Sequence, residues 1–396
     1  FMLKNIIKIF TSHLIVKAIG ILNIVIVLLF FSVENFGNYS FTILVLNLFA
    51  ITVDPILSSY LVDYKFFNYD RYNFGILIIT LFLGVLSYLL LDAFILNIPI
   101  VLFTLFSITY AISASLKSYL NIKDRYYDYG IVDVVRQCCI LITTIIYFYG
   151  FNYNEALELL EFNYLISSIA MILLAILFLK KAEIEFSLQI QKLKTLLLNS
   201  KFLIFYTAIV PLITFIDSYF VESFLTEEDL GMYSFSVKIY SISLMLVVPI
   251  FTILNIKQIE IAKENNYLNF IRGNFKKIAS LSFVMLVLSI FFNWILVNLV
   301  YTVYNESFWI TNILILGSFI TYISLPFSFL IAYRKYKYLF FLGVVAILLN
   351  IFINYFLIAK YGMIIAALST FLSQFVINFG AAFFSYYLLK LNKYEG

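Results

Sequence analysis

Long apolar runs dominate this sequence and constrain its fold more than any other feature. About twelve of them reach the roughly 20 residues that a helix needs to cross the hydrocarbon layer of a bilayer. Charged residues are only 12% of the 396, and hydrophobic residues are 63%, whereas roughly a quarter of a soluble domain is charged. The sequence therefore predicts an all-α integral membrane protein. The predicted spans lie near residues 9–31, 38–61, 74–91, 95–116, 130–149, 160–179, 202–224, 232–255, 277–303, 309–332, 338–358 and 363–389.

The distribution of charge between these spans predicts the orientation of the chain. If the N-terminus is cytoplasmic, the inner connections receive nearly all of the lysines and arginines, and the outer connections receive only Lys360. The outer connections carry acids instead, such as Glu34 and Glu306. This is the positive-inside bias of multi-pass proteins. We therefore expect an even number of spans, with both termini in the cytoplasm.

The two halves of the chain share a short repeat. Residues 36–41 read FGNYSF and open the second span, and residues 230–235 read LGMYSF and open the eighth. The offset is 194 residues, and the same offset carries Pro55 onto Pro249. Duplication of a six-span unit gives halves of the same orientation. We therefore predict two parallel six-helix bundles.

The repeat also suggests boundaries and a mode of action. We predict an N-terminal bundle of residues 1–181, a cytoplasmic connecting segment of residues 182–201 and a C-terminal bundle of residues 202–396. Transporters built from repeats commonly hold their substrate between the repeats and rock one half against the other. With connections of only about a dozen residues between spans, the work of this chain is expected within the membrane.

Several ionisable residues fall well inside the predicted spans, where charge is costly and usually functional; Asp133 lies near Arg136 in the fifth span. Lys17, Lys238 and Arg136 are the candidates for binding an anionic diphosphate group. Asp54 and Asp217 are the candidates for coupling to a proton or Na⁺, because desolvation favours the protonated form of a carboxyl group. In the alternative, Lys17 pairs with Asp54 and the charges only neutralise each other. Asp217 would pair with Lys238 in the same way.

The sequence offers no constellation that would support catalysis. It shows no metal-ligand spacing and no arrangement of a nucleophile with a base, so we expect no catalytic residue, metal or cofactor. We also expect no nucleic-acid partner. Two i,i+4 amide pairs, Asn350 with Asn354 and Gln374 with Asn378, are expected to link helices within the membrane more than to bind sugar.

Several short motifs resemble a known family. Asp217, residues 227–234 (EEDLGMYS), residues 238–240 (KIY), Pro249 and the inner connection from Lys257 occur in the second half. Residues 36–40 and Asp54 match in the first half, and residues 361–367 (YGMIIAA) match at the last helix. Together they resemble the Wzx-type O-antigen flippases of the multidrug/oligosaccharidyl-lipid/polysaccharide (MOP) exporter superfamily.

This resemblance implies a MATE-like fold with a cationic central cavity in the bacterial inner membrane. It implies transfer of an undecaprenyl-diphosphate-linked oligosaccharide from the cytoplasmic to the periplasmic leaflet by alternating access. The protein is then expected to act as a monomer among membrane lipids, in the neighbourhood of polysaccharide polymerase machinery. Two alternatives stay open: a drug or cation exporter of the same superfamily, and a polysaccharide polymerase or ligase. The second is disfavoured because such enzymes need a sizeable outer loop.

Overall fold

A computed structural model describes most of the chain. The backbone is described except at residues 1, 67–71, 74–76, 79, 83, 87, 90–97, 124, 152–154, 181–183, 186–189, 246–266, 325–327, 331–332, 334 and 393–396. Side chains are described outside residues 1–14, 51–76, 181–197, 245–272 and 389–396, with a few further gaps.

Helices form nearly all of the described chain. The described residues between 77 and 89 are helical as well, although they carry no label here. Two of these helices, which end at Ile146 and Ile295, continue as π-helical turns at Tyr147–Phe151 and Leu296–Val300. A parallel pair of two-residue strands, β1 Tyr72–Asn73 and β2 Ile184–Glu185, is the exception to the helical pattern. The labelled helices are α1 Met2–Phe30, α2 Val33–Phe66, α3 Ile100–Ile122, α4 Tyr126–Ile146, α5 Ala156–Leu179, α6 Ile190–Phe224, α7 Glu227–Met245, α8 Tyr267–Ile295, α9 Ser307–Ser324, α10 Tyr336–Tyr361 and α11 Ile364–Asn392.

The outward faces of these helices are suited to lipid. Within the described residues, eight helices are long and apolar enough to cross a membrane. On α10, the side chains of Phe352 and Phe356 are 62% and 60% exposed. A helix satisfies its own backbone hydrogen bonds, which is required in hydrocarbon, and apolar side chains can face lipid without cost. The predicted all-α, multi-pass membrane architecture is confirmed.

The chain divides into two compact units, which we call unit 1 (Phe1–Ile204) and unit 2 (Phe205–Gly396). In unit 1, α1 packs on α4, and α3 packs on α5. In unit 2, α11 packs on α9 and α10, and α9 also packs on α7. The division falls inside α6, which is continuous from Ile190 to Phe224. Residues 190–201, which we expected in a separate connecting segment of residues 182–201, are therefore the first turns of a helix.

The repeat seen in the sequence coincides with equivalent structure in the two units. The second helix of unit 1 begins at Val33, and the second helix of unit 2 begins at Glu227, which is the same offset of 194 residues. The repeat tyrosines Tyr39 and Tyr233 are both buried, with 3% and 0% exposure. Equivalent positions of the repeat therefore occupy equivalent environments.

Close helix packing in unit 2 depends on a glycine. A Cβ atom at Gly343 on α10 would lie 2.6 Å from Ile209 Cδ1 and 3.0 Å from Ile209 Cγ2 on α6. Gly343→Val should therefore destabilise the protein by about 1–3 kcal/mol through overpacking. The measurement is thermal unfolding of purified protein in detergent. Gly20→Val is the matched control, because a Cβ at Gly20 meets no atom of the described residues within 4 Å. Equal losses in both variants would contradict the packing argument.

Candidate functional site

Asp217 on α6 is the centre of a polar cluster inside unit 2. Its side chain has 0% exposure, yet no cation lies within ion-pair distance of it among the described residues. The carboxylate is held by neutral donors on α10 and α11. Asn350 Nδ2, Asn354 Nδ2 and Ser369 Oγ donate to Oδ1 at 2.8, 2.7 and 2.8 Å, and Thr370 Oγ1 donates to Oδ2. We call these five residues the Asp217 cluster.

The local sequence explains why these donors converge. Asn350 and Asn354 are four residues apart, so their amides lie on one face of α10. Ser369 and Thr370 are adjacent on α11, which packs closely against α10. Ser369 Oγ lies 3.0 Å from both amide nitrogens, so the donors also contact each other. The expectation that the Asn350 and Asn354 amides link helices is met, because they join α10 to α6 and α11.

Some oxygen atoms in and beside the Asp217 cluster are not engaged in hydrogen bonds among the described residues. Asn354 Oδ1 is buried and has no hydrogen-bond partner among the described residues. The Tyr233 hydroxyl, from α7, interacts electrostatically with Asp217 and Thr370 but makes no hydrogen bond of ordinary geometry. An asparagine amide can turn its oxygen or its nitrogen toward a ligand, and the choice follows from the surrounding network. The cluster can therefore present carboxylate, hydroxyl and carbonyl oxygens to a small cation.

Lys238 does not neutralise Asp217. The two residues form no ion pair, and Lys238 makes no hydrogen bond or ion pair in the part of unit 2 that the structure describes. The reason is helical geometry. Lys238 follows Tyr233, the α7 residue that contacts Asp217, by five residues, which corresponds to about 7.5 Å along the axis and a different face. The ion-pair interpretation of Asp217 and Lys238 is therefore wrong for this conformation.

A second charged cluster lies in unit 1, between α1, α3 and α4. Lys117 Nζ binds Asp133 Oδ2 at 2.6 Å, and Arg136 Nη2 lies 3.4 Å from Asp133 Oδ1. Lys17, which is exposed on α1, interacts electrostatically with Asp133 and Arg136. Lys117 Nζ also lies 4.8 Å from the centre of the Tyr129 ring. Three cations thus share one carboxylate, and we call Lys17, Lys117, Asp133 and Arg136 the Lys17 cluster.

The cations of the Lys17 cluster have unused hydrogen-bonding capacity. Arg136 Nε is buried and makes no hydrogen bond to the residues that the structure describes. The side chains of Lys117 and Arg136 are 23% and 25% exposed. Among the described side chains of this cluster, three positive charges and one negative charge leave a formal excess of two. This arrangement favours an anion with several oxygens, because guanidinium and ammonium groups bind phosphate oxygens through charge-assisted hydrogen bonds.

Of the remaining candidates from the sequence, the structure describes the side chains of Gln374 and Asn378 but not that of Asp54. Asp54 lies in α2, but its side chain falls outside the described residues, so a pairing of Lys17 with Asp54 stays untested. The second amide pair links helices as expected: Asn378 Nδ2 donates to Thr321 Oγ1 on α9 at 3.0 Å, and Gln374 Nε2 donates to the Tyr240 hydroxyl on α7.

Sequence reasoning missed some members of both clusters. Lys117 falls just past the predicted span of residues 95–116, but it lies within α3, one to two turns from the helix end. Ser369 and Thr370 were not singled out, because hydroxyl residues are ordinary in membrane helices. Among the described residues, no group of three or more His, Cys, Asp or Glu side chains could hold a metal ion.

Comparison with known proteins identifies the fold. No family profile matches the sequence, and no curated protein matches it. Solved structures do match over nearly the whole chain. An outward-facing multidrug resistance MATE family transporter of the MOP superfamily has a TM-score of 0.68 at 11% identity, covering 99% of this chain and 97% of its own. An inward-facing one has a TM-score of 0.72 at 12% identity, covering 95% of each chain.

A third similar structure is a MOP superfamily transporter from Pyrococcus furiosus, described as having a binding pocket of reversed polarity that suggests a different function. Its TM-score is 0.67 at 12% identity, covering 98% of this chain and 96% of its own. Identities this low establish the fold alone. The chain therefore has the helical membrane fold of the MATE transporters of the MOP superfamily.

Proposed function

We propose that this protein is a flippase that moves a lipid-linked oligosaccharide diphosphate across a bacterial inner membrane by alternating access. The observation that carries the proposal is the Lys17 cluster, in which three cations share a single carboxylate. A diphosphate presents several negatively charged oxygens, which this arrangement can bind after partial release of Asp133. The cargo of best chemical fit is an undecaprenyl-diphosphate-linked oligosaccharide.

In unit 2, Lys238 supports the proposal that the cargo is anionic. Lys238 is partly buried and makes no ion pair among the described residues. An ammonium group in a membrane is costly without a counter-charge, and a ligand that supplies negative charge would offset that cost. MOP relatives include multidrug transporters, and one transporter of this fold is described with reversed pocket polarity. A drug or cation exporter is the second candidate function, because the fold is shared and Asp217 is a buried carboxylate.

The Asp217 cluster supports coupling of this transport to a cation. Oxygen ligands suit hard cations, and sites of transporters for Na⁺ or protons are typically built from broken or adjacent helices near the membrane midplane. We propose that Asp217 binds Na⁺, with a proton as the other candidate ion. Asp54 keeps the same proposed role in unit 1, where its side chain lies outside the described residues.

The direct test of cargo uses purified protein in proteoliposomes. The probe is a fluorescent polyprenyl-diphosphate disaccharide, and its arrival in the other leaflet is measured by quenching with a membrane-impermeant reductant. We expect the diphosphate probe to cross at a protein-dependent rate and a fluorescent organic cation not to be transported. Transport of the organic cation without transport of the diphosphate would establish the exporter and overturn the flippase.

Removal of single cations should weaken the capture of this probe. Each charge-assisted hydrogen bond contributes about 1.5–3 kcal/mol, so Lys17→Ala and Lys238→Ala should each lower the initial rate at subsaturating probe by roughly 10-fold or more. Lys276→Ala, at an exposed lysine near the start of α8, is the matched control and should transport normally. Normal rates in both Lys17→Ala and Lys238→Ala would contradict their assignment as substrate ligands.

A further inference from the structure

Asp133 lies deeper in unit 1 than the cations that surround it. Its side chain is 8% exposed, whereas those of Lys117 and Arg136 are 23% and 25% exposed, and Lys17 is exposed on α1. A ligand that approaches the Lys17 cluster therefore meets ammonium and guanidinium groups before it meets the carboxylate. The carboxylate holds its two cations from the buried side and leaves their exposed side accessible.

The cations of this cluster can move toward a ligand more easily than the carboxylate can. Lys and Arg carry their charges on long side chains, whereas the carboxylate of Asp133 is one carbon from the Cα atom. Arg136 Nε makes no hydrogen bond to the described residues, so Arg136 can bind a ligand oxygen through Nε while Nη2 stays near Asp133. The ammonium group of Lys117 has three donors on a flexible stem and can turn from Asp133 to a ligand.

The fixed carboxylate opposes the binding of any anion at this place. Like charges placed side by side at a binding site are strongly unfavourable, and the repulsion grows with the charge of the ligand. When Lys117 turns to a ligand, Asp133 also loses its contact at 2.6 Å, and a buried charge without its partner is destabilising. Departure of the ligand restores this contact. Asp133 therefore lowers the affinity of the site and favours release.

We propose that Asp133 is an internal counter-anion, which competes with the diphosphate for Lys117 and Arg136 and pairs with these cations again when the cargo leaves. This inference rests on the proposed flippase function and specifies how its anion site is emptied. The unloaded protein then changes conformation with these two cations paired, which avoids the cost of unpaired charge in a membrane. Asp133 sets the turnover of the site without being a ligand of the cargo.

The first measurement is equilibrium binding to the purified full-length protein in detergent, followed by fluorescence anisotropy. The probes are the polyprenyl-diphosphate disaccharide, a diester with two negative charges, and a polyprenyl-monophosphate sugar, a diester with one. Asp133→Asn should bind the diphosphate probe at least about 10-fold more tightly than the wild type, because the repulsion from the carboxylate is removed. The gain for the monophosphate probe should be smaller, because that probe carries half the charge.

The second measurement follows the diphosphate probe in the proteoliposome assay. Asp133→Asn should lower the KM and also reduce the maximal rate by at least about 5-fold, because tighter binding slows dissociation and release then limits turnover. Asp133→Glu keeps the charge and should remain close to the wild type in both quantities. Asp128→Asn is the matched control, because Asp128 is a carboxylate on the same helix in an exposed pair with Arg125. It should change neither quantity.

The outcomes separate this inference from the proposed function. Asp133→Ser, a smaller neutral variant, is measured beside Asp133→Asn in case one of them fails to fold. If neither binds the diphosphate probe more tightly while the wild type transports it, the inference is overturned and the flippase proposal stands. Tighter binding with an unchanged maximal rate would overturn the role in release. A wild type that neither binds nor transports the diphosphate probe would overturn the flippase proposal, and this inference with it.

Discussion

Replacement of Asp217 by alanine is expected to abolish transport and to destabilise unit 2. The side chain accepts hydrogen bonds from Asn350, Asn354, Ser369 and Thr370 in a fully buried position. Hydrogen bonds between membrane helices average about 0.6 kcal/mol each, so the loss of four should cost about 2 kcal/mol. Transport of the diphosphate probe should fall at least about 100-fold, because a site that holds charge only through Asp217 cannot bind its cation.

The variant Asp217→Asn separates the expected loss of transport from the expected loss of stability. The amide has nearly the same shape, can accept through its oxygen and can donate to Thr370, so unfolding in detergent should occur within about 0.5 kcal/mol of the wild type. Transport should nevertheless be lost, because the charge is gone. An Asp217→Asn variant that transports at the wild-type rate would contradict a coupling role and leave the cluster with a structural function only.

Removal of Lys117 is expected to give the largest loss of stability in unit 1. Asp133 has 8% side-chain exposure and depends on Lys117 at 2.6 Å, while Arg136 is more distant at 3.4 Å. Breaking a fully buried ion pair costs about 3–5 kcal/mol. Because Lys117 is partly exposed and Arg136 remains, we expect about 2–3 kcal/mol for Lys117→Ala, measured by thermal unfolding of purified protein.

Two further variants test whether the loss of stability in Lys117→Ala comes from the buried ion pair. The double variant Lys117→Ala/Asp133→Asn should recover most of the loss, because the buried carboxylate is then absent and the remaining cation, Arg136, is partly exposed. The coupling energy of such a cycle is about 0.5–3 kcal/mol. Arg125→Ala removes an exposed ion pair of similar length, Arg125 Nε to Asp128 Oδ2 at 2.7 Å. It should cost less than about 1 kcal/mol. A similar loss in Lys117→Ala and Arg125→Ala would contradict the importance of burial.

The fold was predictable because it depends on patterns that extend over many residues. Apolar runs and the alternation of basic connections do not require knowledge of any contact. The repeat was readable as well, since the shared glycine and tyrosine of residues 36–41 and 230–235 lie where a helix begins in both units. The connecting segment was less predictable, because the lysines within residues 190–201 do not interrupt a helix.

The site was predictable only in part, because it depends on which helix faces meet. Asp217 stood out as an acid within a span, and Asn350 and Asn354 stood out as an amide pair. Their joint cluster could not be derived from the sequence, since it requires α6, α10 and α11 to be neighbours. Lys117 was missed for the opposite reason: a lysine near a helix end is ordinarily solvated, and its contact with Asp133 is known only from the packing of α3 against α4.

The short strand pair constrains how unit 1 can change shape. Strand β1 follows the end of α2 by six residues, and β2 follows the end of α5 by five. Backbone pairing of Tyr72 with Ile184 and of Asn73 with Glu185 joins these two connections. The ends of α2 and α5 are therefore tethered by at most about 20 Å of chain on each side. The strand pair therefore limits how far the ends of α2 and α5 can separate, and a wider opening at this edge of unit 1 would have to break main-chain hydrogen bonds.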